Sequence, residues 1–152
     1  MVIQTLFAIL ASYGFGIIFE VRGKNLYFTA IVGGIGWAIH LISLNLGSTL
    51  VSSYFISSIV LTICSEILAR HLKTPVTTIL ISGLIPLVPG GGVYYTMYYI
   101  LERNMEEAIF KGAETLFIAG ALSFGIVVVS SLVRIMKTGQ RNRYSRHLPD
   151  KN

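Results

Sequence analysis

At 152 residues, with 53% hydrophobic side chains, only 12% charged ones and a mean hydropathy of +0.70, the chain is not an ordinary soluble domain, in which about 25% of residues are charged. Its net charge of +5 is dispersed between apolar runs rather than gathered into a patch, which argues against nucleic acid as a partner. The single cysteine, Cys64, forms no internal disulfide and carries no information about redox compartment.

The apolar residues form five runs of membrane length, 2–19, 26–46, 49–69, 76–101 and 112–136, since about 20 apolar residues cross the hydrocarbon core. The expected fold is therefore all-α, a polytopic membrane protein with five transmembrane helices. Residues 1–136 form the membrane domain and 137–152 a basic cytoplasmic tail. Placing the loops on alternate sides puts every Lys and Arg except Arg103 and Lys111 on one side. Positive residues stay cytoplasmic, so the chain is expected to start outside and end inside a cell (inner or plasma) membrane.

The first run has no basic segment before it and no small-residue cleavage site after it, and reads as a retained helix rather than a signal peptide. Ala8, Ser12 and Gly16 recur every four residues, a smooth ridge for close helix packing. The second run repeats the pattern at Ala30, Gly34 and Ala38, with Gly33 and Gly36 beside it, and carries Trp37 and His40. An ionisable group inside a span is a functional candidate. The competing expectation for His40 is a neutral imidazole bonded to a serine or carbonyl of a neighbouring helix.

The third run is rich in hydroxyls, with Ser53 and Ser57 on one face and Ser58, Thr62 and Ser65 on the next. They bond back to carbonyls one turn earlier or line a wet path. Glu66 follows near the cytoplasmic end, where pairing with Arg70 at i+4 competes with carrying a coupling proton.

The fourth run is interrupted near its middle by Pro86-Leu87-Val88-Pro89-Gly90-Gly91-Gly92. Proline removes a backbone donor and clashes with the preceding turn, and glycine gives up backbone restriction, so a helix cannot pass unbroken. Unpaired backbone survives in a bilayer only where protein, water or a ligand covers it. Two half-helices meeting at mid-membrane are a transporter's way of building a substrate site. The amides of Gly90, Gly91, Gly92 and Val93, at a positive helix N-terminus, suit a carboxylate. Pro86 and Pro89 fix the break. Tyr94 and Tyr95 lie closest to it, and Tyr98 and Tyr99 suit an aromatic interface belt.

The charged segment 102–111 is expected to be helical, with Asn104 capping ahead of Glu106 and Glu107. The fifth run opens with Glu114, read as an interfacial charge at a helix N-terminus or a proton relay, and carries Ala121 and Gly125 on a small-residue face. The tail beyond is expected to be disordered against anionic headgroups. No GxxxxGK[ST] phosphate cradle, HExxH, metal-ligand cluster or GxSxG elbow occurs, so neither an enzyme nor a cofactor or metal site is expected.

The run Pro86-Leu87-Val88-Pro89-Gly90-Gly91, entered through Thr74-Pro75 and followed by a Tyr-rich half-helix, resembles the threonine/serine exporter family. Trp37, the Ala69-Arg70 pair and the glycine-bearing fifth run are similar too, and the likeness covers about 2–134. That family occurs as a fused protein of two membrane halves or as two chains, and this sequence is similar to the small chain. The resemblance implies proton-coupled export of small amino acids, or of small dicarboxylates in some relatives, by a complex with a larger membrane subunit. A non-transporting scaffold for that subunit is the rival expectation. The implied substrate is a small carboxylate-bearing solute, with Pro86, Pro89, Gly90, Gly91, Gly92, Tyr94 and Tyr95 as site residues. His40, Glu66 and Glu114 are the proton-coupling candidates.

Overall fold

The computed structural model describes the backbone of residues 1–145 and the side chains of 1–136, and the described residues are helices and short connections. In chain order these are α1 (Val2–Ile18), α2 (Lys24–Asn45), α3 (Leu50–Leu72), α4 (Val76–Leu84), α5 (Gly90–Leu101) and α6 (Met105–Ser145), with a single 3-10 turn at Ile85–Leu87 between α4 and α5. Local chemistry sets several boundaries. The Thr49 hydroxyl accepts from the Ser52 amide at 3.3 Å to start α3, and Lys73 takes a left-handed conformation to end it. Asn104 caps α6 as expected, its Oδ1 accepting from the Glu107 amide at 3.3 Å, with Glu106 and Glu107 in the first turn.

The chain is an all-α, multi-pass membrane protein. Three helices are long and apolar enough to cross a bilayer, Lys24–Asn45, Leu50–Leu72 and Met105–Met136. The pair Val76–Leu87 and Gly90–Leu101 is bent by 46° and passes the same test as one broken span. A hairpin would reverse the chain, whereas a 46° bend carries it onward. The 17-residue α1 is apolar but short, about 26 Å at 1.5 Å per residue against a core of about 30 Å.

Two boundaries differ from expectation. The helix capped by Asn104 does not stop before the fifth apolar run but continues through it as α6, so Glu114 lies in its third turn and is not a helix N-terminal charge. The same helix continues to Ser145, into the segment expected to be a disordered tail. Backbone hydrogen bonding propagates through polar residues once a long helix is nucleated. The expected tail from 146 onward lies outside the described residues.

Helix α2 packs against α1, α3 and α4, α3 packs against α6, and α5 packs against α6. The first half of the broken span is thus inside the bundle and the second half lies along α6. No residue of α5 is fully buried. The apolar core is small, with Val32, Leu61, Ile79 and Leu87 fully buried. Small residues do much of the rest. The buried residues of α1 are Ala8, Ser12 and Gly16, the expected ridge. A Cβ on Gly33 would collide with the Ser12 hydroxyl and come within 3.1 Å of the Gly83 carbonyl, so α2 meets the backbone of α4 and the Ser12 side chain of α1 directly. A Cβ on Gly125 would collide with Ser58, which closes α3 onto α6.

The hydroxyls of α3 take the local option. Ser58 donates to the Phe55 carbonyl at 2.8 Å, Thr62 to Ser58 at 2.7 Å and Ser65 to Leu61 at 2.8 Å. Ser57 reaches across to the Gly36 carbonyl at 2.5 Å, an interhelical bond of a kind that contributes on average about 0.6 kcal/mol in a membrane protein.

Candidate functional site

The interruption builds the site. Helix α4 ends in the 3-10 turn, whose Leu87 is fully buried and anchors it in the core. Val88 is extended and Pro89, at φ −76° and ψ 54°, is the N-cap of α5. The Gly90 amide is taken by the Val88 carbonyl at 2.7 Å and the Val93 amide by the Pro89 carbonyl at 3.3 Å. First-turn amides have no intrahelical acceptor. The donors that the first turn of α5 leaves are therefore those of Gly91 and Gly92.

Both glycines line a cavity of about 430 Å³, within the size range of small-molecule sites. Pro86, Pro89 and Tyr95 share its wall with them. Trp37 of α2 and Tyr54 of α3 form another side. Lys111, Glu114 and Thr115 of α6 close a third. The Lys111 Nζ donates to Glu114 Oε2 at 2.6 Å, with the two side chains 35% and 27% exposed. A Cβ on Gly92 would collide with Thr115, so the first turn of α5 rests directly on this turn of α6. Around Gly90 and Gly91, by contrast, a Cβ would meet nothing within 4 Å.

The residues predicted from sequence divide accordingly. Pro86, Pro89, Gly91, Gly92, Tyr95 and Glu114 meet in the cavity. Gly90 and Tyr94 stand outside its wall, and the Tyr94 ring stacks on Tyr98 at 6.4 Å between centroids. His40 is buried one layer behind, its ring 5.2 Å from that of Trp37 and 4.1 Å from that of Tyr54. The serine partner expected for it is present, with Ser53 Oγ 3.0 Å from His40 Nδ1. Glu66 lies well away, about 18 Å along the α3 axis from Tyr54 at 1.5 Å per residue. There it is buried and pairs with the half-exposed Arg70 at 3.8 Å, the i+4 partner expected from the sequence.

A model of the family described as "Threonine/Serine exporter, ThrE" matches residues 4–132. The chain belongs to this family. An uncharacterized protein of Haemophilus influenzae is 24% identical over 131 residues, covering 81% of this chain and 44% of that protein. The chain thus spans less than half the length of that relative. No solved structure matches it.

In this exporter-family chain the cavity also contains side chains that sequence reasoning passed over. Lys111 closes the charged segment expected to be helical and stands three residues before Glu114, the spacing at which opposite charges meet on one helix face. Thr115 gave no signal, because its part is contact with Gly92 across two helices. Tyr54 gave none either, since a tyrosine near a span end reads as an interface residue.

Proposed function

We propose that this chain is a subunit of a secondary exporter of small amino acids of the threonine/serine type, with the cavity at the helix break as its substrate site. The observation that carries this reading is the meeting of three features in one cavity: the Pro-Gly interruption, the two free helix N-terminal amides, and a pair of opposite charges. Membership of the exporter family supports it, and the absence of catalytic motifs from the sequence fits transport rather than chemistry. In this reading α1 and the bent pair complete five crossings with the break near mid-membrane, and the Lys and Arg asymmetry of the loops supports an N-terminus outside and a C-terminus in the cytoplasm. A larger membrane subunit supplies the remainder of the length seen in the relative, and the proton gradient drives export through His40, Glu114 or Glu66.

The test is efflux of labelled threonine from loaded cells, normalised to protein in the membrane. The comparison is between no protein, this chain alone, the chain with its larger partner, and that pair carrying Gly91→Leu. A Cβ at this position meets nothing within 4 Å, so a leucine there starts from open space at the cavity wall. Saturable efflux by the pair, lost in Gly91→Leu at equal abundance, supports the reading. Unchanged efflux from a stable variant moves the site elsewhere, and a fall in abundance without change in rate per complex supports a scaffold. Labelled succinate in the same cells tests the dicarboxylate alternative.

A further inference from the structure

We infer that Lys111 and Glu114 are a zwitterion clamp: Lys111, with the Gly91 and Gly92 amides, takes the substrate's carboxylate while Glu114 takes its ammonium group. This rests on the reading of the cavity as the substrate site and specifies what that site selects. The two side chains sit on one face of α6, with Nζ and Oε2 2.6 Å apart, and both line the cavity. Their turn is held against the break. The Thr115 hydroxyl donates to the Lys111 carbonyl at 2.7 Å, and Thr115 itself fills the space beside Gly92. The cation, the anion and the two free amides are therefore joined through contacts of a single helical turn.

The two charges satisfy each other across 2.6 Å. An amino acid entering between them gives each charge a new partner of opposite sign, so no charge is left unpaired away from water. A dicarboxylate does not balance in the same way. It brings two negative charges to a wall with one cation and one carboxylate, and the carboxylate repels it. A second observation marks the same wall as incomplete. The Trp37 indole Nε1 is buried and has no hydrogen-bond partner among the described residues. Trp37 lines this cavity. A buried donor without an acceptor is costly, and a bound hydroxy amino acid that turns the indole toward the cavity would relieve it.

The test is displacement of tritiated L-threonine from the full-length chain in membranes, co-expressed with its larger partner. Competitors that each lack one group probe the clamp without mutation: 3-hydroxybutyrate has no ammonium and 1-amino-2-propanol has no carboxylate. Each is expected to bind at least tenfold more weakly than threonine, as is succinate. Glu114→Gln is expected to weaken threonine at least tenfold without weakening 3-hydroxybutyrate. Lys111→Met is expected to weaken both, and Lys111→Arg to restore them. Threonine bound equally by wild type, Glu114→Gln and Lys111→Met would overturn the clamp while leaving the cavity's substrate role intact. The same holds for 3-hydroxybutyrate matching threonine on the wild-type protein. Wild-type protein that binds succinate but not threonine also overturns the clamp, and binding of neither overturns the parent reading with it.

Discussion

His40 donates a hydrogen bond to Ser53, and a third atom decides the direction. The Ser53 hydroxyl lies 2.6 Å from the Leu50 carbonyl oxygen and 3.0 Å from His40 Nδ1. A carbonyl oxygen has no proton to give and a serine has one. That proton is committed to Leu50, so the bond to the ring must come from Nδ1–H. The neutral ring then keeps Nε2 as its acceptor.

Nitrogen NMR of histidine-labelled protein at neutral pH is therefore expected to show His40 protonated at Nδ1 and bare at Nε2. Ser53→Ala removes the acceptor and leaves a buried N–H unpaired, at a cost of about 1–3 kcal/mol. A lowered melting temperature of the purified protein should report it. An Nε2–H tautomer, or an unchanged melting temperature, would contradict the assignment.

Ring contacts with Tyr54 and Trp37 set His40, a titratable group, directly behind the cavity wall. Tyr54 is its titratable neighbour on α3, and Glu114 and Lys111 are the charged groups on the α6 wall. His40→Asn places an amide donor near Ser53 but cannot titrate. It is expected to keep threonine exchange near the wild-type rate while gradient-driven net efflux falls at least tenfold. Glu66→Gln, remote from the cavity, is expected to leave both within twofold. Paired assays of exchange and net efflux in vesicles distinguish these outcomes, and loss of coupling in Glu66→Gln alone would reassign the proton.

Gly91 and Gly92 are neighbours with opposite tolerances. Gly92→Ala drives a methyl into Thr115, an overpacking change that costs about 1–3 kcal/mol. Membrane abundance and melting temperature are expected to fall, with partial recovery in Gly92→Ala/Thr115→Ala. Gly91→Ala, with open space around it, should be stable. Equal stability of the two variants would show that α5 does not rest on α6 as described.

Topology is testable residue by residue. Single cysteines introduced at Ser48 and Arg103, in a Cys64→Ala background, should react with an impermeant reagent from outside the cell. Cysteines at Arg22 and Lys73 should react only after permeabilisation. If the larger partner starts inside, the two halves form an inverted repeat around the break. Both N-termini on one side of the membrane would refute that arrangement.

Some of this protein was legible in the residues themselves, because it depends on periodicity and on local backbone chemistry. The Ala8-Ser12-Gly16 ridge, the Asn104 cap, the Glu66–Arg70 pair and the break at Pro86–Pro89 all follow from spacing within one segment. That the helix capped by Asn104 runs unbroken into the fifth apolar run did not, since hydropathy marks where a helix becomes apolar and not where it begins. The cavity could not be read at all. It exists because α4 enters the bundle while α5 leans on α6 after a 46° bend. That geometry sets Gly92 against Thr115, brings Lys111 and Glu114 to the glycine amides, and leaves Gly90 and Tyr94 outside. Sequence determined which groups this chain has and how each helix is faced. Tertiary packing decided which of those groups share a space, because the contacts between residues far apart in the chain depend on how whole helices cross.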